Sequence, residues 1–80
     1  MGSTFWVYAI KSEKDGRIYV GMSNDPEKRL KEHNSGITKS TKGFIPWKLI
    51  FKEFVGPSQL AREKEKYFKT GIGKEFLKSL

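Results

Sequence analysis

Tyr8, Tyr19, Arg29 and His33, with one glutamate of the segment LAREKEKYFK (60–69), are the side chains of this sequence whose types could act together on a substrate. Such a set suits phosphodiester hydrolysis. A doubly negative transition state needs positive charge aimed at the phosphoryl oxygens, which Arg29 or a divalent cation on a single Glu could supply. Tyrosine starts with a pKa near about 10, so a tyrosine base requires cationic surroundings that stabilise phenolate. Each residue also has a plainer role: strand tyrosines usually fill cores or surfaces, a helix arginine is usually solvated, and a lone histidine usually caps or packs. Other chemistries lack their parts. A single His33 and no cysteine exclude a zinc finger and most multi-ligand zinc sites. No G-x-x-x-x-G-K-[ST] loop or G-x-S-x-G elbow occurs, and Gly21 stands alone.

The chain around these residues is small and basic. Eighty residues make a single domain, 1–80, with a thin core. Aromatic residues, at 14%, supply the large side chains such a core needs without metal or disulfide. Sixteen Lys plus Arg against nine acidic residues give a net charge of +7, and polyanions are the natural partners of such a field. Lysines dominate the basic set, which favours general phosphate attraction over bidentate reading of bases. Without cysteines, a secretory signal or an apolar run of about 20 residues, the sequence is expected to be cytoplasmic with no membrane association.

The elements that must position the candidates follow from pattern. Thr4 to Ile10 and Arg17 to Gly21 are rich in aromatic and β-branched residues, and Asp15-Gly16 between them signals a hairpin. Any even loop length puts Tyr8 and Tyr19 on one face of the sheet. A helix begins with Asp25 as N-cap, Pro26 at its first position and Glu27 in its first turn, and ends at Gly36. Arg29 and His33, four apart, share a face beside Leu30. Residues 34–46 read as a polar loop, and Trp47 to Val55 as a strand with imperfect alternation. After Gly56-Pro57-Ser58 comes a helix that stops at Thr70-Gly71, with Leu60, Ala61, Tyr67 and Phe68 on its apolar side. Glu63 and Glu65 flank that stripe on opposite sides, and periodicity does not choose between them. A last amphipathic piece, Lys74 to Leu80, is expected to pack Phe76, Leu77 and Leu80 on the body. The order β-β-α-β-α-α predicts an α+β fold: a small three-stranded, mainly antiparallel sheet flanked by helices.

Taken together these features resemble the GIY-YIG endonuclease superfamily. Its two half-motifs correspond to Trp6-Val7-Tyr8 and Tyr19-Val20-Gly21, the first lacking the usual Gly and Ile. The family's helix arginine and following histidine fall on Arg29 and His33 within DPEKRLKEH. Its glutamate pattern, A-x-x-x-E-K-x-[LF]-K, falls on Ala61 to Lys69 with Glu65 as the metal-binding residue and Glu63 as the alternative. The likeness runs from about Phe5 to Leu77 and is closest to short stand-alone members related to the nuclease domain of the excision-repair UvrC subunit. The late asparagine of many members is absent, since no Asn follows Asn34.

The resemblance implies a DNA endonuclease of repair or recombination that uses one divalent cation, Mg²⁺ or Mn²⁺. It implies Tyr8 as base for the attacking water with Tyr19 in support, His33 orienting or shuttling protons, and Arg29 stabilising developing charge. Specificity would be weak or supplied by a partner protein or second domain. A competing reading is a nucleic-acid-binding module with a silent site, in which Lys39, Lys42, Lys48 and Lys52 form a phosphate-contacting stripe and Trp47 stacks on a base. Core filling is the favoured role for Trp47.

Overall fold

The structure, a computed structural model, describes residues 4–80, so Met1 to Ser3 of the expected domain lie outside the described residues. Strands β1 (Phe5–Ser12) and β2 (Ile18–Ser23) form the hairpin, helix α1 (Pro26–Ser35) follows, and β3 (Trp47–Gly56) precedes α2 (Ser58–Phe68) and α3 (Gly71–Lys78). The sheet order is β2-β1-β3, antiparallel throughout. The fold is the expected α+β arrangement. Its central strand, however, is buried on both sides: Val7, Tyr8, Ala9 and Ile10 are all inaccessible. Instead of one thin core there are two. Val7, Ala9 and Val20 pack against Ala61, Phe68 and Leu77 of α2 and α3. On the other face Tyr8, Ile10 and Trp47 pack with Tyr19, Leu30, Phe44, Ile45 and Leu49.

Register settles the hairpin question. Tyr8 pairs with Gly21 and Ile10 with Tyr19, so both tyrosines stand on the second face. Helix α1 is then aimed across that face by its caps. The Asp25 carboxylate accepts from the Lys28 amide at 3.1 Å, Pro26 occupies the first turn, and Gly36 closes the helix in the left-handed conformation at φ 85°.

The uneven alternation of β3 has a structural cause. Ala9 pairs with Phe51 but Ile10 with Leu49, which leaves Ile50 as the extra residue of a bulge. Ile50 and Phe51 both join the α2–α3 core, and every residue before the bulge changes face relative to those after it. A second register shift, between Phe5 and Trp6, leaves Val55 unpaired in the same way.

The last two helices depart from expectation in which apolar residues they bury. On α2 the sheet-facing stripe is Ala61 and Phe68, while Leu60 and Tyr67 are exposed because they lie on the flank turned towards β3. On α3 Leu77 is buried, and Phe76, though accessible, packs edge-on to Phe51 with ring centres 5.6 Å apart. Leu80 lies beyond the end of the helix and is exposed. No helix among the described residues is long and apolar enough to cross a membrane.

Candidate active site

The second face of the sheet buries polar groups as well as rings. His33 is completely inaccessible, and its Nε2 lies 3.0 Å from the Tyr8 hydroxyl. Its Nδ1 lies 2.8 Å from Oγ1 of Thr41, which is also buried. The Thr41 hydroxyl is directed at the Thr38 carbonyl, so its oxygen is left to accept from Nδ1–H. With Thr41 donating to that carbonyl, 3.4 Å away, the consistent state of His33 is the neutral Nδ1–H tautomer, with Nε2 accepting the Tyr8 proton. Burial, reinforced by the Arg29 charge, pushes the imidazole pKa down and keeps it neutral. Burial pushes Tyr8 up to about 12; the neighbouring Tyr19 adds to the rise, and Arg29, by charge and hydrogen bonding, opposes it. At rest Tyr8 is therefore a phenol that donates to histidine.

Gly21 makes this placement of Tyr8 achievable. A Cβ on Gly21 would lie 2.8 Å from the Tyr8 hydroxyl oxygen and 2.9 Å from Cζ, closer than real side chains approach. The phenol thus lies across the main chain of its partner strand. Tyr19 sits two residue pairs along on the same face and meets the His33 ring edge-on, with centroids 5.1 Å apart.

Arg29, half-buried one turn before His33, donates from Nη1 to Glu32 at 2.8 Å, and this hydrogen bond raises its pKa further. The guanidinium remains close enough to Tyr8 to act on its ionisation. Glu65, on α2, has a smaller influence: its charge is the weakest of those that raise the Tyr8 pKa. It lies between Ala61 and Phe68 along the buried stripe, its side chain is 18% exposed, and Lys69 Nζ pairs with it at 3.1 Å. Glu63 is elsewhere. It is exposed and lines a groove towards β3 with Val55, Leu60, Lys64 and Tyr67.

The donor set limits what ion could be held. Among the described residues no group of three or more His, Cys, Asp or Glu side chains is clustered for a metal. A single carboxylate such as Glu65, were it released from Lys69, would fit a hard cation such as Mg²⁺ or Mn²⁺, which keeps waters and completes its shell with substrate oxygens. It does not fit a closed zinc site.

The expected lysine stripe is not continuous. Lys48 pairs with Lys11 and Lys52 with Tyr8, so the bulge at Ile50 sends these two lysines to opposite faces. Lys52 is moreover paired with Glu27 and lies 5.1 Å from the centre of the Trp6 ring. Lys39 and Lys42 are exposed on the segment between α1 and β3. Trp47 is unavailable for stacking. It is buried, its indole N–H donates to the Thr41 carbonyl at 2.9 Å, and the Asn34 side chain grips its main-chain N–H and C=O. Thr41 and Asn34 were not legible as parts of the site. Both lie in a stretch that reads as polar loop, and no local pattern marks which hydroxyl or amide turns inward.

Comparison with known proteins adds an independent line. A family model described as the GIY-YIG catalytic domain matches residues 4–75. The chain is 42% identical to a UPF0213 protein of Clostridium perfringens over 80% of its own length and 69% of that relative. It is 43% identical to the UPF0213 protein YazA of Bacillus subtilis over 78% of its length and 63% of YazA. It is also 35% identical to the structure-specific endonuclease subunit SLX1 of Scheffersomyces stipitis, over 74% of the chain but only 20% of that relative. The chain therefore spans about two thirds of the length of these UPF0213 relatives. No solved structure matches it.

Proposed function

The chain belongs to the GIY-YIG family of catalytic domains, and from that premise we propose that it is a divalent-metal-dependent endonuclease that hydrolyses DNA phosphodiester bonds. The observation that carries the reading is the contact of the Tyr8 hydroxyl with buried His33 under the influence of Arg29 and Glu65, four residues from three separate elements. A core built only for stability would have little reason to bury a neutral imidazole and a phenol here.

In this reading Arg29 binds the phosphoryl oxygens and stabilises the charge that develops on them. A divalent cation held by the Glu65 carboxylate would supply Lewis-acid stabilisation of the same charge. The tyrosines divide the proton work. Tyr8 can accept a proton from water only after passing its own to His33 Nε2, a transfer that burial of both groups opposes at rest. Positive charge beside the phenolic oxygen, as from Arg29, favours the phenolate but disfavours the imidazolium, so the transfer needs a cation nearer Tyr8 than His33. Thr41 holds His33 in the tautomer able to receive it. Tyr19, half-buried at the edge of the sheet, borders the approach to this pair and supports the attacking water.

Branched DNA is the first substrate to try, given the relative named as a structure-specific endonuclease subunit. A role in repair or recombination follows from such a substrate, and a partner would supply further specificity. The test is incubation of the purified protein with nicked, branched and single-stranded DNA in Mg²⁺ or Mn²⁺, with EDTA as control. Cleavage that requires the cation is the expected result. Binding without cleavage of any of these DNAs, by protein that stays folded, would instead support a silent nucleic-acid-binding module.

A further inference from the structure

We propose that the groove along the outer edge of β2 is the track for the phosphate backbone of one DNA strand, with Lys69 and Lys74 as its phosphate-contacting pair. The inference rests on the nuclease reading and locates the path of its substrate. β2 is an edge strand, so its outer side carries main-chain groups with no strand partner. The groove there has a volume of about 270 Å³ and is lined by Ile18, Tyr19, Val20, Lys69 and Lys74. Among the described residues its charged lining is the two lysines, so the ligand it favours is an anion with an apolar part, as a sugar-phosphate chain is. Tyr19 joins this groove to the site, because its ring contacts His33 edge-on.

Lys69 has a second connection. It pairs with Glu65 at 3.1 Å while its side chain remains 54% exposed. A cation taken up by Glu65 would compete with that pairing and release the ammonium towards the groove. The other flank of the same helix differs. Lys64 is directed to Glu53 at 3.6 Å, lies 5.9 Å from the centre of the Phe68 ring and lines the groove towards β3 rather than the one along β2. The groove thus supplies the adjacent pair of cations that the interrupted Lys48 and Lys52 stripe does not.

The experiment measures binding of a fluorescein-labelled single-stranded oligonucleotide across a range of NaCl concentrations, with Ca²⁺ present. It compares the unaltered chain with Lys74→Ala, Lys69→Ala and Lys64→Ala, each checked for an unchanged melting temperature. Loss of one phosphate contact should reduce the slope of log K against log salt by about 0.7 and weaken binding for Lys74→Ala and Lys69→Ala. Lys64→Ala should keep the slope of the unaltered chain. Equal changes in all three variants would mean diffuse attraction and overturn the groove assignment, as would no change in any. Cleavage in Mg²⁺ or Mn²⁺ separates the two inferences. A groove signature without any cleavage removes the nuclease reading and keeps the groove, whereas cleavage and binding insensitive to Lys74→Ala do the reverse.

Discussion

The two faces of the sheet bury comparable rings and chains by different means. Towards α2 and α3, Val7, Ala9, Val20, Ala61, Phe68 and Leu77 meet with no buried polar side chain among them. Towards α1, Tyr8 and Trp47 share their layer with His33 and Thr41, and every inward polar atom has a partner. Area burial alone stabilises the first face, where substitutions cost in proportion to the volume removed. The second face depends on direction, because each donor must meet its acceptor. The first face therefore serves as a platform, and the second holds its polar side chains at a fixed geometry.

Substitutions on each face should separate activity from stability. Arg29→Ala is expected to lower the cleavage rate about a hundred- to a thousandfold while leaving DNA binding and melting nearly unchanged, as measured by single-turnover kinetics and calorimetry. Leu77→Ala on the apolar face should do the opposite. It should cost about 2–5 kcal/mol in denaturant unfolding while the folded fraction keeps its specific activity. Gly21→Ala joins both effects, since its methyl group must displace Tyr8; about 1–3 kcal/mol of stability and most of the activity should go. Because the methyl group would meet the Tyr8 hydroxyl oxygen and also Cζ, which phenylalanine would keep, the Gly21→Ala, Tyr8→Ala double variant should cost less than the sum of the two single changes. A strictly additive cycle would contradict the close approach.

The smallest effect is on pH dependence. The His33 pKa is lowered in the folded chain, first by burial and then by Arg29. Unfolding therefore takes up a proton in the interval below about 6.5, and stability should be full above that pH and fall as pH drops towards the folded value. His33→Asn should flatten this part of the stability curve. An unchanged curve would mean that His33 is not held neutral.

The α1 caps were legible in the sequence because capping is a local signal, whereas periodicity marked Ala61, Phe68 and Leu77 of the apolar face together with Leu60, Tyr67 and Leu80, which are exposed. Asp25-Pro26 and Gly36 mark their helix ends without reference to anything distant. The shared face of Tyr8 and Tyr19 was legible too, since hairpin parity does not depend on the exact turn. The bulge at Ile50 was not. It depends on how β3 meets β1, and it separated lysines whose spacing of four had implied one stripe. Thr41 was equally hidden, because a threonine in a polar loop becomes a histidine partner only once the loop folds beneath α1. That Glu65 rather than Glu63 turns towards the sheet depends on the orientation of α2, which the two flanks of a helical wheel do not reveal.

That orientation is the most direct point of attack. Single-turnover cleavage of a labelled branched DNA in Mg²⁺, with protein saturating, should be slowed about a hundredfold or more by Glu65→Gln and left unchanged by Glu63→Gln. Cleavage at the unaltered rate by Glu65→Gln, or a loss that follows Glu63→Gln instead, would contradict a site assembled from Tyr8, Tyr19, Arg29, His33 and Glu65.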